Sequence, residues 1–175
     1  FYISSNGFLS FDAGNAGCCA GQNIPDPLVG WPNNVIAVAW SDMNPSLGGN
    51  VDYFTTGSAP NRILVVNFNS IPHFGGGGAP LTAQVQLHES TNAIEIHTTT
   101  AVGDGGIITM GIENGTGTMA VAVPGRNGSN WSASNEAWRF ELPLASNYIY
   151  QWAPATGLSS ATSSNPMATV SATTM

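Results

Sequence analysis

Lysine is absent from the 175 residues, and arginine occurs only three times, at Arg62, Arg126 and Arg139. Ten aspartates and glutamates oppose them, leaving a formal charge of −7. Such a chain has no basic surface able to neutralise a row of phosphates, which excludes nucleic acid and anionic membrane as partners. Without lysine there is also no P-loop amine, no Schiff base and no lysine–asparagine cross-link. Long apolar runs are missing too: the longest are about the size of Val35–Trp40, far short of the ~18 residues that span a bilayer. Charged residues make up 7% of the chain against 42% hydrophobic, so the composition is that of a folded chain rather than a disordered one. The length suits one full domain plus a remnant of another.

Cysteine is nearly absent as well. Cys18 and Cys19 are adjacent, in Gly17-Cys18-Cys19-Ala20-Gly21, and within one chain they can pair only with each other. A neighbour-to-neighbour bridge closes a strained ring, since ordinary disulfides want Cα atoms about 4.4–6.8 Å apart. A vicinal disulfide in an oxidising compartment and two free or buried thiols both remain open. Two adjacent thiolates without spaced histidines do not make a zinc site. The chain starts at Phe1 within a strand pattern and without a secretory leader, as expected of a piece of a longer polypeptide.

Apolar residues recur at period two between Gly, Pro and Asn clusters, which predicts strands throughout. Tyr2–Ser5 and Phe8–Phe11 flank Asn6-Gly7, a dipeptide suited to a type I′ hairpin turn. A Gly- and Pro-rich loop from Asp12 to Asn34 precedes a buried strand at Val35–Trp40. Val51–Thr56 and Arg62–Phe68 form a second hairpin. In a third, Thr82–His88 and Ala93–Thr98 pair so that opposed residues sum to 181, which places Val85, Leu87, Ile94 and Ile96 on one face. Gln84, Gln86, His88, Glu95 and His97 take the other. His88 and His97 then lie about 13 Å apart along the strands, too far to share a metal, and read as surface histidines. His73 reads as a loop residue. Strands at Ile107–Glu113, Ala120–Val123 and Trp138–Leu142 complete an all-β, two-sheet antiparallel sandwich of jelly-roll type over residues 1–143. Residues 144–175 turn rich in Ser, Thr, Ala and Asn, with one strand at Tyr148–Trp152. They are too few for a core of their own and read as the truncated start of a second, Ig-like module, or as a flexible tail.

No nucleophile elbow, zinc-protease motif or phosphate loop is present. Paired carboxylates could serve glycoside hydrolysis, but among ten acids some pair meets that spacing by chance, and Glu95, on an outer sheet face, and Glu141, near a domain end, read as plain solubilising charges. Asp42, Asn44 and Asp52, around Gly48-Gly49, supply oxygens at a spacing that calcium could use; Asx turns that cap their own loop account for the same residues. Trp40 and Trp138 lie in strand patterns and read as core. Trp31 and Trp131, in polar loops, are ligand-contact candidates or packing over a sheet edge.

Phe1-Tyr2-Ile3-Ser4-Ser5-Asn6-Gly7-Phe8, Gly17-Cys18-Cys19-Ala20-Gly21-Gln22, Ile36-Ala37-Val38-Ala39-Trp40-Ser41-Asp42, Ile94-Glu95-Ile96-His97, Gly111-Ile112-Glu113-Asn114 and Val123-Pro124-Gly125-Arg126-Asn127 together resemble a nidogen-like β-sandwich module of large secreted and surface proteins of Bacteroidota. The likeness covers residues 1–142. The tail, from Tyr150-Gln151-Trp152 to Asn165-Pro166-Met167-Ala168-Thr169, resembles the start of the immunoglobulin-like or PKD-like repeats that follow such modules. The resemblance implies a noncatalytic extracellular adhesion or structural module, exported by the type nine route of gliding bacteria. Its implied partners are neighbouring domains of the same polypeptide, a surface glycan or protein, or further copies of itself. A carbohydrate-binding module attached to a hydrolase is one alternative; a filament subunit completed by neighbouring strands is another. No cofactor is implied beyond the calcium that Asp42, Asn44 and Asp52 could hold.

Overall fold

The computed structural model describes residues 1–13, 20–28, 30–142, 150–163 and 165–169. Two compact units, Phe1–Glu141 and Leu142–Met175, divide the chain. The first is an all-β sandwich of two five-stranded antiparallel sheets. Its strands are β1 (Tyr2–Ser4), β2 (Phe8–Ser10), β3 (Val35–Trp40), β4 (Asn50–Thr56), β5 (Ile63–Ile71), β6 (Leu81–His88), β7 (Ile94–Val102), β8 (Thr109–Glu113), β9 (Ala120–Ala122) and β10 (Ser132–Phe140). The first sheet runs β1-β2-β3-β8-β9 and the second β10-β7-β6-β5-β4.

Alternation builds the core between them. Leu9, Ile36, Val38 and Met110 of the first sheet meet Val66, Phe68, Val85 and Ile96 of the second, all buried. At ~25 cal/mol per Å² of apolar surface, each such side chain contributes about 1.5–3 kcal/mol. The third hairpin keeps the predicted register, Gln84↔His97, Val85↔Ile96 and Leu87↔Ile94. A shift between Thr82 and Ala83 ends it.

The first hairpin differs from expectation. Ser4 pairs with Phe8, so three residues turn rather than two, and of these only Gly7 has a positive φ, +74°. A type I′ turn needs positive φ at both central residues. Glycine is required at this position: a Cβ there would come within 2.8 Å of the Ala39 carbonyl oxygen. The close approach lets the Gly7 carbonyl accept from Val38 N at 2.9 Å.

Residues 20–28 and 30–34, expected as part of a plain loop, act as a strap over the outer face of the first sheet. Phe8, Val35, Ala37 and Trp40 point outward there, and buried Ile24 covers them. The Phe8 and Trp40 rings lie 4.7 Å apart at 42°, a tilted pairing favoured by the ring quadrupoles. Gly111 lets β9 lie close, since a Cβ there would come within 2.5 Å of the Val121 carbonyl oxygen and 2.7 Å of Ala122 Cα, and it would also press on Ile24 Cδ1 at 3.0 Å. Polar groups pin it. Asn127 accepts from Ile24 N at 2.8 Å and donates to Ile24 O at 2.6 Å, and Glu113 accepts from Asp26 N at 2.7 Å. With its nitrogen turned inward, the Asn33 amide donates to Glu113 Oε2 at 3.1 Å. Burial pushes the Glu113 carboxyl above the usual glutamate range.

β10 is longer than its sequence pattern suggested. Ser132 to Phe140 pair with Val102 to Ile94 of β7, so Trp138 lies on an edge strand, partly exposed, rather than in the core. Arg126 closes that edge, pairing with the Glu136 carboxylate and stacking 4.7 Å from the Trp131 ring centre and 5.7 Å from that of Trp138.

In the second unit, the described residues hold one isolated bridge, Leu158↔Ala168. Trp152 anchors it with N donating to Ala161 O and Nε1 to Ser163 O, both at 2.8 Å. Tyr150, Gln151 and Trp152 are not in a strand; the rest of the strand expected at 148–152 lies outside the described residues.

Candidate functional site

Among the described residues of the first unit, the outer face of the second sheet is left open, and its alternate positions carry a ribbon of polar side chains on all five strands, hydrogen-bonded from β4 to β6 and gathered again around Glu95 on β7. Across the register, Asp52 faces Asn67, Asn67 faces Gln84 and Gln84 faces His97. One position along, Gln86 faces Glu95 and Glu95 faces Arg139. At ~4.8 Å between strands the ribbon is roughly 19 Å wide.

The side chains are already arranged. Asp52 accepts three amides, from Asn67 at 2.7 Å, Asn69 at 2.8 Å and Asn50 at 2.9 Å. Gln84 donates to Asn67 at 2.8 Å and Gln86 to Gln84 at 2.5 Å. Glu95 gathers His97 at 2.8 Å, His88 at 3.5 Å and Arg139. The hydrogen bond from His97, followed by that from Arg139, holds the Glu95 carboxyl below its usual range. Arg139 reaches Glu141 at 2.7 Å on its other side. Phe54, on the same face of β4 as Asp52, is 49% exposed and adds an aromatic surface beside the amides. Amides and carboxylates that orient one another and keep further lone pairs and N–H groups open to solvent can bind hydroxyls or a peptide backbone in fixed positions.

Glu95 and Glu141, read above as solubilising charges, flank a shared arginine. A glycosidase acid needs a raised pKa, whereas Glu95 is lowered and the raised Glu113 is committed to the strap.

The other predicted site residues are distributed differently. Asn44 caps a 3-10 turn, its Oδ1 accepting from Ser46 N at 3.1 Å and Ser46 Oγ at 2.5 Å, which is the Asx-turn role. Asp52 belongs to the ribbon. Asp42 sits after β3, its carbonyl accepting from Phe74 N at 2.9 Å. Among the described residues, no group of three or more His, Cys, Asp or Glu is placed to hold a metal ion. Trp31 is exposed on the strap. Trp131 is half-buried against the core, Nε1 donating to Ile108 O at 3.1 Å, with Arg126 across its face. Cys18 and Cys19 lie outside the described residues.

His73, expected as a loop bystander, is buried, bridges Met43 and places Nδ1 3.8 Å from Asp104 Oδ2. Sequence reasoning put five ribbon residues on one face but missed Asp52, Asn67 and Arg139 as their continuation. The signal available was the Asn-x-Asp and Asn-x-Asn alternation of β4 and β5.

A two-sheet antiparallel sandwich with one strapped and one polar outer face is thus the class of protein that the fold and site define. The chain belongs to the NIDO-related family, whose model matches residues 1–154. It is a nidogen-related module, and membership suggests an extracellular setting. No curated protein and no solved structure matches the chain. Among the described residues no helix is long and apolar enough to cross a membrane.

Proposed function

We propose that this chain is a noncatalytic adhesion and structural module of a large multidomain bacterial surface or secreted protein, and that it binds through the outer face of its second sheet. The observation that carries the reading is the preformed ribbon from Asp52 to Arg139. A sheet face held in place by the strands beneath it loses little side-chain freedom on binding. The resemblance to surface modules of Bacteroidota supplies the setting, with export by the type nine route and repeats following in the same polypeptide. Fold analogy does not identify the ligand.

Phe54 beside the amide ladder favours a glycan as that ligand, because sugar rings stack on aromatics while their hydroxyls take amide bonds. This brings the carbohydrate-binding alternative onto the same surface. The test is binding of the whole chain to a glycan array and to immobilised bacterial surface material. Loss of binding in Asp52→Ala and Gln84→Ala, with retention in Trp31→Ala, is the expected result. A blank array together with no surface retention, or turnover of a bound glycan, overturns the proposal.

A further inference from the structure

Among the described residues the sandwich has four edge strands, and three of them are guarded against pairing with another chain. β1 and β9 are three residues long. β10 carries Glu136 and Arg139 and is bent by a left-handed residue, Asn135 at φ 51°. Short strands, charges and local distortion are the devices by which edges avoid association.

β4 is neither short nor locally distorted. Its seven residues pair with β5 without a break, from Asn50↔Asn69 to Thr56↔Ile63, so its outer edge runs straight for roughly 24 Å at ~3.4 Å per residue. Among the described residues nothing pairs with that edge. The strand holds no proline, arginine or glutamate, and the chain has no lysine to place there. Its one charge, Asp52, could serve as a guard. However, the Asn67 and Asn69 amides, both on β5, draw the carboxylate back over the sheet and away from the edge. Tyr53 is 67% exposed and Phe54 49%, on opposite faces of the strand.

We propose that β4 is an association edge whose occupant is β4 of a second copy, paired antiparallel about a two-fold axis. Charge selects this occupant. With the axis at Tyr53, Asp52 falls opposite Phe54 of the other copy; with the axis at Phe54, it falls opposite Thr56. Neither register opposes like charges, and either sets an aromatic against its twin, a favourable cross-strand pair. Pairing with β10 of another copy would instead meet the distortion at Asn135. The product is a continuous ten-stranded sheet that joins two polar ribbons on one face and so makes binding bivalent.

The test is sedimentation equilibrium of the whole chain over a wide concentration range, with hydrogen exchange on the same samples. Expected are a reversible shift from 18.1 kDa to twice that mass and concentration-dependent protection of the β4 amides. Tyr53→Lys and Phe54→Lys, each at an exposed site, should abolish the shift while leaving the melting temperature of the monomer unchanged. A wild-type chain that stays monomeric at its solubility limit overturns the proposal, as does a dimer that survives both lysines or leaves β4 unprotected. A monomer whose β4 becomes protected only by an added extended peptide also overturns it, in favour of a foreign strand. Glycan binding by a strictly monomeric chain would leave the adhesion reading standing while this one fails.

Discussion

The two sheets share one core yet end in opposite ways on their outer faces. The first is covered, with Phe8 and Trp40 sealed under Ile24; the second is open, with Asp52, Asn67, Gln84 and His97 in a row. The first sheet's strands are short and apolar on both sides, so it needs the strap to keep them dry. The second has long alternating strands whose outer residues satisfy each other laterally. Substitutions under the strap are therefore expected to cost more stability than substitutions on the second sheet's surface, the face proposed to bind.

Several experiments can break or sharpen that contrast. The largest effect is expected for Trp40→Ala or Phe8→Ala, each costing about 3–5 kcal/mol as a cavity opens under the strap, whereas Gln84→Ala on the second sheet should stay within about 0.5 kcal/mol. Urea unfolding of the three variants decides it, and equal losses would erase the distinction. Next is Arg126→Ala, which strips a largely buried guanidinium from Glu136 and from two indoles; a loss of about 2 kcal/mol is expected, accompanied by a change in tryptophan fluorescence.

The acids should then titrate in opposite senses. Glu89, held down to about 2 by its hydrogen bonds from Arg62, and the lowered Glu95 and Glu136 favour folding above the unfolded value of 4.5. That contribution fades as pH falls toward their folded values. Glu113 is raised by burial, so the native state binds its proton more tightly, and its contribution is fullest below 4.5 and declines as pH rises to its folded value. Melting curves of wild type against Glu113→Gln across this range should diverge with rising pH, the wild type losing ground; parallel curves would contradict the assignment. The smallest effect is His97→Ala, expected to leave the melting temperature nearly unchanged while weakening any ligand held at the Glu95 end of the ribbon.

Legibility followed periodicity. The register of β6 and β7 was readable because Val85, Leu87, Ile94 and Ile96 alternate with polar residues on both strands, and a one-residue slip would turn all of them to water. β10 was cut short because Ser132-Ala133-Ser134-Asn135-Glu136-Ala137 has no apolar alternation; its extent comes from pairing with β7. The strap was invisible as a cover, since Ile24 is a single apolar residue in a Gly- and Pro-rich stretch. Half of the ribbon was legible, whereas Asp52 reads in the sequence only as a calcium candidate or an Asx turn, because its partners Asn67 and Asn69 come 15 and 17 residues later.

Alternation of side chains along each strand sufficed by itself to define an all-β sandwich, its hairpins and most of its core, because burial on a pleated strand depends only on neighbours two positions away. Strand order, the strap, the clamp at Arg126 and the union of five strands into one polar face depend on residues up to 103 positions apart, as between Ile24 and Asn127. Contacts at that separation leave no periodic trace in the chain, and only the folded sheets bring their members together.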